Sequence, residues 1–115
     1  MTRAKRPTKT EAAAPTIEWT ERALADLREI DEYIAADSPA AAERWIARLI
    51  AKAEAAAHAP LAGPRVPERA SASVREVFLK TYRIVYRVRE RGILVLTVFE
   101  GHRELPSDVE VEGEK

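Results

Sequence analysis

A chain of 115 residues with 46% hydrophobic composition has less core than that figure implies, because 21 of its residues are alanine. The larger apolar side chains suffice for one small core. Nineteen Lys and Arg balance nineteen Asp and Glu, which removes the overall positive potential that a nonspecific nucleic-acid coat or a basic membrane binder relies on. With no cysteine there is no disulfide framework, thiol nucleophile or thiolate zinc site, and two histidines make a poor metal site. No apolar run approaches the roughly 20 residues of a membrane-spanning helix, and none follows the basic N-terminus as a signal peptide would require. The expectation is a cytoplasmic single domain that needs no cofactor or metal.

Residues 1–15 mix Arg3, Lys5, Arg6 and Lys9 with threonine, alanine and two prolines. They carry too little apolar surface to offset the entropy of ordering and read as a flexible basic tail. Ile17 and Trp19 alternate with polar neighbours, a period of two that predicts a short strand over Thr16–Trp19. From Thr20 the period lengthens. Thr20 can cap, Glu21 suits the positive end of a helix dipole, and Ala23, Leu24, Leu27, Ile30 and Ile34 form one apolar stripe. Asp37-Ser38-Pro39 ends this helix and begins another, with Ser38 as the cap and Pro39 at a position whose N–H would find no helical partner anyway. Ala42, Trp45, Ile46, Leu49, Ala53 and Ala56 make the second stripe, closed by His58-Ala59-Pro60, so the two helices should pair as an antiparallel hairpin. Trp45 reads as core, and His58 is accounted for by the dipole of the helix it ends.

Pro60 to Ser73 holds three prolines and a glycine and reads as a loop. Val74–Leu79, Tyr82–Arg89 and Ile93–Phe99 are rich in β-branched and aromatic residues, with turns at Lys80-Thr81 and Glu90-Arg91-Gly92, so they should form three antiparallel strands. The last is apolar on both faces, which places it centrally and leaves the N-terminal strand as its second neighbour. The architecture expected is α+β, in the order β-α-α-β-β-β, with a helical hairpin packed on a small, mainly antiparallel sheet. That domain covers 16–105. Residues 106–115 turn acidic and lose periodicity, and read as a second tail unless something binds them.

Zero net charge hides a segregation: +3 over 1–15, −4 over 16–62, +5 over 63–103 and −4 over 104–115. In the strand region Arg83, Arg87 and Arg89 alternate with Tyr82, Ile84, Tyr86 and Val88, so the arginines should share a face. With Arg75, Val77, Lys80, Val85 and Arg103 they would form a basic, partly apolar surface able to grip carboxylates. A solvated outer sheet face accounts equally well for any one of these arginines. The uncompensated density of the whole set favours a partner surface.

Val74-Arg75-Glu76-Val77 followed by Tyr82-Arg83-Ile84-Val85-Tyr86-Arg87-Val88, then a hydrophobic strand ending near Arg103, resembles the ParE branch of the RelE/ParE toxin superfamily. Ala23-x-x-Asp26-Leu27-x-x-Ile30-x-x-Tyr33-Ile34, the stretch around Pro39, and Pro60-x-x-Gly63 extend the likeness over about 16–105. The resemblance implies a toxin of a type II toxin–antitoxin pair that binds DNA gyrase, performs no chemistry and does not read nucleic-acid sequence directly. It also implies an acidic ParD-like antitoxin. That partner would lay apolar side chains in a groove beside the helical hairpin and set carboxylates against Arg75, Arg83 and Arg87. Two alternatives stay open. One is a RelE-like, ribosome-dependent mRNA endonuclease, for which Arg75, Arg83, His102 and Arg103 would be the catalytic candidates. The other is an inactive homologue that binds only its antitoxin. The chain departs from the ParE pattern at Glu100, where a histidine is often seen.

Overall fold

The computed structural model describes residues 14–69, 71–101, 104–107 and 109. The residues read as the basic tail, apart from Ala14 and Pro15, lie outside this set, as do the candidates His102 and Arg103. The elements follow the expected order: β1 (Thr16–Trp19), α1 (Glu21–Ala35), α2 (Pro39–His58), a 3₁₀ turn (Pro60–Ala62), β2 (Val74–Leu79), β3 (Tyr82–Arg89) and β4 (Gly92–Glu100). The sheet runs β1-β4-β3-β2, with β1 parallel to β4 and the other neighbours antiparallel. β4 is therefore central, as its two apolar faces require. No helix among the described residues is long and apolar enough to cross a membrane.

Both helices start where their sequence caps them. The Thr20 side chain accepts the Ala23 N–H at 2.9 Å and that of Ser38 accepts the Ala41 N–H at 3.1 Å, each satisfying a donor that has no helical partner. Thr20 does more than cap, because its hydroxyl also donates to the Leu96 carbonyl at 3.0 Å. That carbonyl belongs to a bulge: Val85 pairs with Thr97 but Tyr86 pairs with Val95, leaving Leu96 unmatched. One turn along α1, Asp26 Oδ2 accepts the Thr97 hydroxyl at 2.5 Å and the Val98 N–H at 3.0 Å. The bulge frees backbone groups from the ladder, and α1 satisfies them, which fixes the helix on the sheet.

Two apolar layers result. Ala23, Leu27, Leu49, Ala53, Ile84, Tyr86, Ile93 and Val95 pack between the hairpin and one face of the sheet. The alanines of α2 let it lie close, and Trp45 meets Tyr82 edge-to-face at 5.9 Å. Under the opposite face Val66, Val74, Val85, Leu94, Leu96 and Phe99 form a second layer, closed by Leu105 and Val109. The packed domain thus extends through Val109, into the stretch that reads as a tail in the sequence.

Candidate partner-binding groove

The arginine face expected from alternation is not a free surface. Arg83 is 4% exposed. Its Nε donates to Glu76 Oε1 at 2.8 Å, while Nη1 and Nη2 each donate to a Glu68 oxygen at 3.0 Å. The guanidinium also lies 5.0 Å from the Phe99 ring centroid. Val85 is fully buried in the second layer, and half-buried Arg87 donates to the Ser73 hydroxyl at 3.3 Å. Arg89 pairs loosely with Glu18 at 3.6 Å. These are corrections to the gripping set, and the cause is the chain's own return. Residues 64–69, 104–107 and Val109 cover that face, and the charges on it are met by carboxylates and hydroxyls of the same molecule.

The set also divides between two faces. Arg75 pairs with Tyr86 and Val77 with Ile84 across the β2–β3 ladder, so both point toward the hairpin, whereas Arg83, Val85 and Arg87 point away from it. Lys80 is exposed in the two-residue turn, at a positive φ of 53°.

Glu68 joins the ion pair to the returning segment. Its Oε2 accepts the Leu105 N–H at 2.9 Å, and Arg69 Nη2 donates to the Pro106 carbonyl at 3.2 Å. The hydrogen bond from Arg83, foremost among several causes, lowers the Glu68 carboxyl from 4.5 to about 2. A lowered carboxyl pKa stabilises the fold fully above the unfolded value and loses that contribution as pH falls through the folded one. The strap at Leu105 and Pro106 should therefore stay seated at neutral pH and loosen as pH falls from about 4.5 to about 2. Amide exchange at Leu105 against pH checks this, and Glu68→Gln should abolish the dependence.

On the hairpin side a groove of about 320 Å³ runs between the C-terminal half of α2 and the outer edge of β2. Ala55, Ala59, Ala62, Pro64, Val77 and Phe78 give it an apolar lining, and Lys52 stands on its rim. Phe78 closes the groove only at the β2 edge: it pairs with Arg83, its ring lies on the Arg83 face 6.0 Å from that guanidinium, and it is 45% exposed. Leu61, in the turn that forms one wall, is also exposed. Arg48 lies one turn before Lys52 and rests on the Trp45 ring at 5.0 Å, so two cations follow each other along one side of α2. A larger hollow of about 510 Å³ along α1 is lined by Arg22, Asp26, Glu29 and Glu100 beside Tyr33 and Tyr82. Burial, then Glu100 and Tyr33, pushes the Tyr82 phenol above its ordinary value. Three carboxylates against one guanidinium make that hollow unsuited to an acidic partner. Among the described residues no cluster of His, Cys, Asp and Glu could hold a metal ion.

Phe78, Lys52 and Arg48 are absent from the expected set. The i, i+4 spacing of Arg44, Arg48 and Lys52 was a readable signal for the basic side of α2, whereas nothing local marks Phe78 as exposed.

The family model described as "ParE toxin of type II toxin-antitoxin system, parDE" matches residues 17–105. The chain belongs to the ParE toxin family. A relative, "Putative toxin Y4kP" of Sinorhizobium fredii (strain NBRC 101917 / NGR234), is 41% identical over 92 residues, 78% of this chain and 92% of that protein. A solved structure, "Chromosomal ParDE TA system from P. aeruginosa", aligns with a TM-score of 0.63 at 21% identity, covering 76% of this chain and 97% of that one, and shares the fold. This is a ParE-type toxin of a type II toxin–antitoxin system. Its family match ends at residue 105, so the strap residues Pro106 and Val109 lie beyond the part shared with the ParE model.

Proposed function

We propose that this ParE-type toxin acts by binding DNA gyrase and is neutralised by an acidic ParD-like antitoxin, one segment of which fills the α2–β2 groove. The observation that carries the antitoxin site is the pairing of an open apolar lining, made by Ala55, Ala59, Ala62 and Val77 with Phe78 at the β2 edge, with cations at its rim. A partner segment with small apolar side chains on one side and carboxylates on the other complements both. Lys52, Arg48 and Lys80 are the proposed cationic contacts, with Val77 in the floor. Arg83 and Val85 belong to the internal packing beneath the other face.

The antitoxin to test is the product of the neighbouring reading frame, purified with the toxin. Ala55→Asp sets a carboxylate in the apolar lining against an acidic partner, so its Kd should rise at least ~30-fold, about 2 kcal/mol. Binding unchanged by this substitution would place the antitoxin elsewhere. For the target, inducible expression without antitoxin should halt DNA synthesis before protein synthesis, and the purified chain should inhibit gyrase supercoiling. Translation halting first, with message cut on ribosomes and the cutting lost in His102→Ala, would establish the RelE-like alternative.

A further inference from the structure

We infer that Arg75 is a positioning residue for antitoxin binding, building one wall of the groove instead of gripping a carboxylate of the partner. The inference rests on the groove reading above. Arg75 Nε donates to the Ala72 carbonyl at 2.9 Å, and Nη1 donates to the carbonyls of Gly63 at 3.0 Å and Leu61 at 3.3 Å. These acceptors come from two stretches, the turn that follows α2 and the approach to β2. Beside Arg75, its cross-strand partner Tyr86 donates its hydroxyl to the Pro60 carbonyl at 2.6 Å. Burial, the foremost cause, pushes the Tyr86 phenol above its ordinary value, so it remains a donor throughout the physiological range.

The two side chains hold Pro60, Leu61 and Gly63 from below, and backbone bonds from Glu76 to Pro64 at 3.0 Å and from Val66 to Val74 at 3.3 Å continue the seam. Gly63 shows how tightly the turn is drawn in. A Cβ there would lie 2.6 Å from the Tyr86 hydroxyl and 2.7 Å from the Glu76 carbonyl. Ala59, Ala62, Gly63 and Pro64 are groove-lining residues, so the hydrogen bonds from Arg75 and Tyr86 set the groove's width. A planar guanidinium reaches acceptors in fixed, diverging directions, which an ammonium on a flexible stem does not reproduce.

A grip and a wall differ kinetically. Loss of a rim charge slows association and flattens its salt dependence. Loss of wall support leaves encounter unchanged and speeds dissociation. The test measures kon and koff for the neighbouring-frame antitoxin, at several salt concentrations, with wild type, Arg75→Ala, Arg75→Lys, Tyr86→Phe, Lys52→Ala and Ala55→Asp. Arg75→Lys should raise koff as much as Arg75→Ala does, tenfold or more, with kon and its salt slope within twofold of wild type. Tyr86→Phe, which alters no charge, should raise koff in the same direction, and Lys52→Ala should lower kon. Wild-type koff in both Arg75→Lys and Tyr86→Phe, or a kon loss in Arg75→Ala like that of Lys52→Ala, overturns the inference. Unimpaired binding by Ala55→Asp overturns the groove reading itself, whatever the Arg75 variants do.

Discussion

Arg83→Ala is expected to destabilise the fold by about 3–5 kcal/mol, the effect of removing one member of a buried ionic network. Arg83 lies between Glu76, itself 5% exposed, and Glu68. Without the guanidinium, Glu76 becomes a buried carboxylate with its main partner gone, and Glu68 loses the donor that orients it toward Leu105. The cavity beside Phe99 adds to the loss. Urea unfolding of the purified chain measures this. The triple replacement Arg83→Met, Glu76→Leu and Glu68→Gln should lie much closer to wild type, because the cost comes from stranded charge and not from the absence of ion pairs. A loss below about 1 kcal/mol for Arg83→Ala would describe an exposed pair, and the sequestered arginine would have to be abandoned.

Gly92→Ala is expected to cost at least ~3 kcal/mol, at the upper end for steric overpacking. A Cβ at Gly92 would sit 1.9 Å from the Thr16 carbonyl oxygen and 2.7 Å from its nitrogen. Both atoms are backbone, so no rotamer change relieves the clash. β1 must move away from β4, taking with it Ile17 and Trp19, which pack against the main core. The expected signature is a lowered thermal midpoint together with a red-shifted, more quenched Trp19 emission in a Trp45→Phe background. An unchanged midpoint would show that β1 accepts a new register without loss.

Much of this fold is written in local pattern. Thr20, Ser38 and Pro39 mark the helix starts by their chemistry, and the two-sided apolarity of Ile93 to Phe99 correctly places β4 at the centre. The bulge at Leu96 has no such mark, since a strand that is apolar at nearly every position carries no phase to break. The arginine face failed for a related reason. Alternation assigns Arg83, Val85 and Arg87 to one side of the strand but does not say what covers that side. Half the answer lay in the register. A two-residue turn at Lys80-Thr81 pairs Leu79 with Tyr82 and Glu76 with Val85, which puts Glu76 diagonal to Arg83 on the same face. The other half, Glu68 and the return of Leu105 and Val109, comes from aperiodic segments whose long-range contacts leave no local signature. The groove is hidden likewise: its alanines read as helix packing, and only the position of the Pro60–Ala62 turn beside Arg75 and Val77 makes their outer faces a lining.

The proposed neutralisation depends on which face the antitoxin covers, and hydrogen–deuterium exchange of the toxin with and without the purified antitoxin reads that directly. The account predicts new protection over residues 52–64 and 77–80, with exchange across 83–87 and 94–99 already slow in the free chain and little changed. Protection confined to the strap residues 104–109 and the loop at 66–69, with residues 52–64 and 77–80 exchanging as in the free toxin, would contradict it.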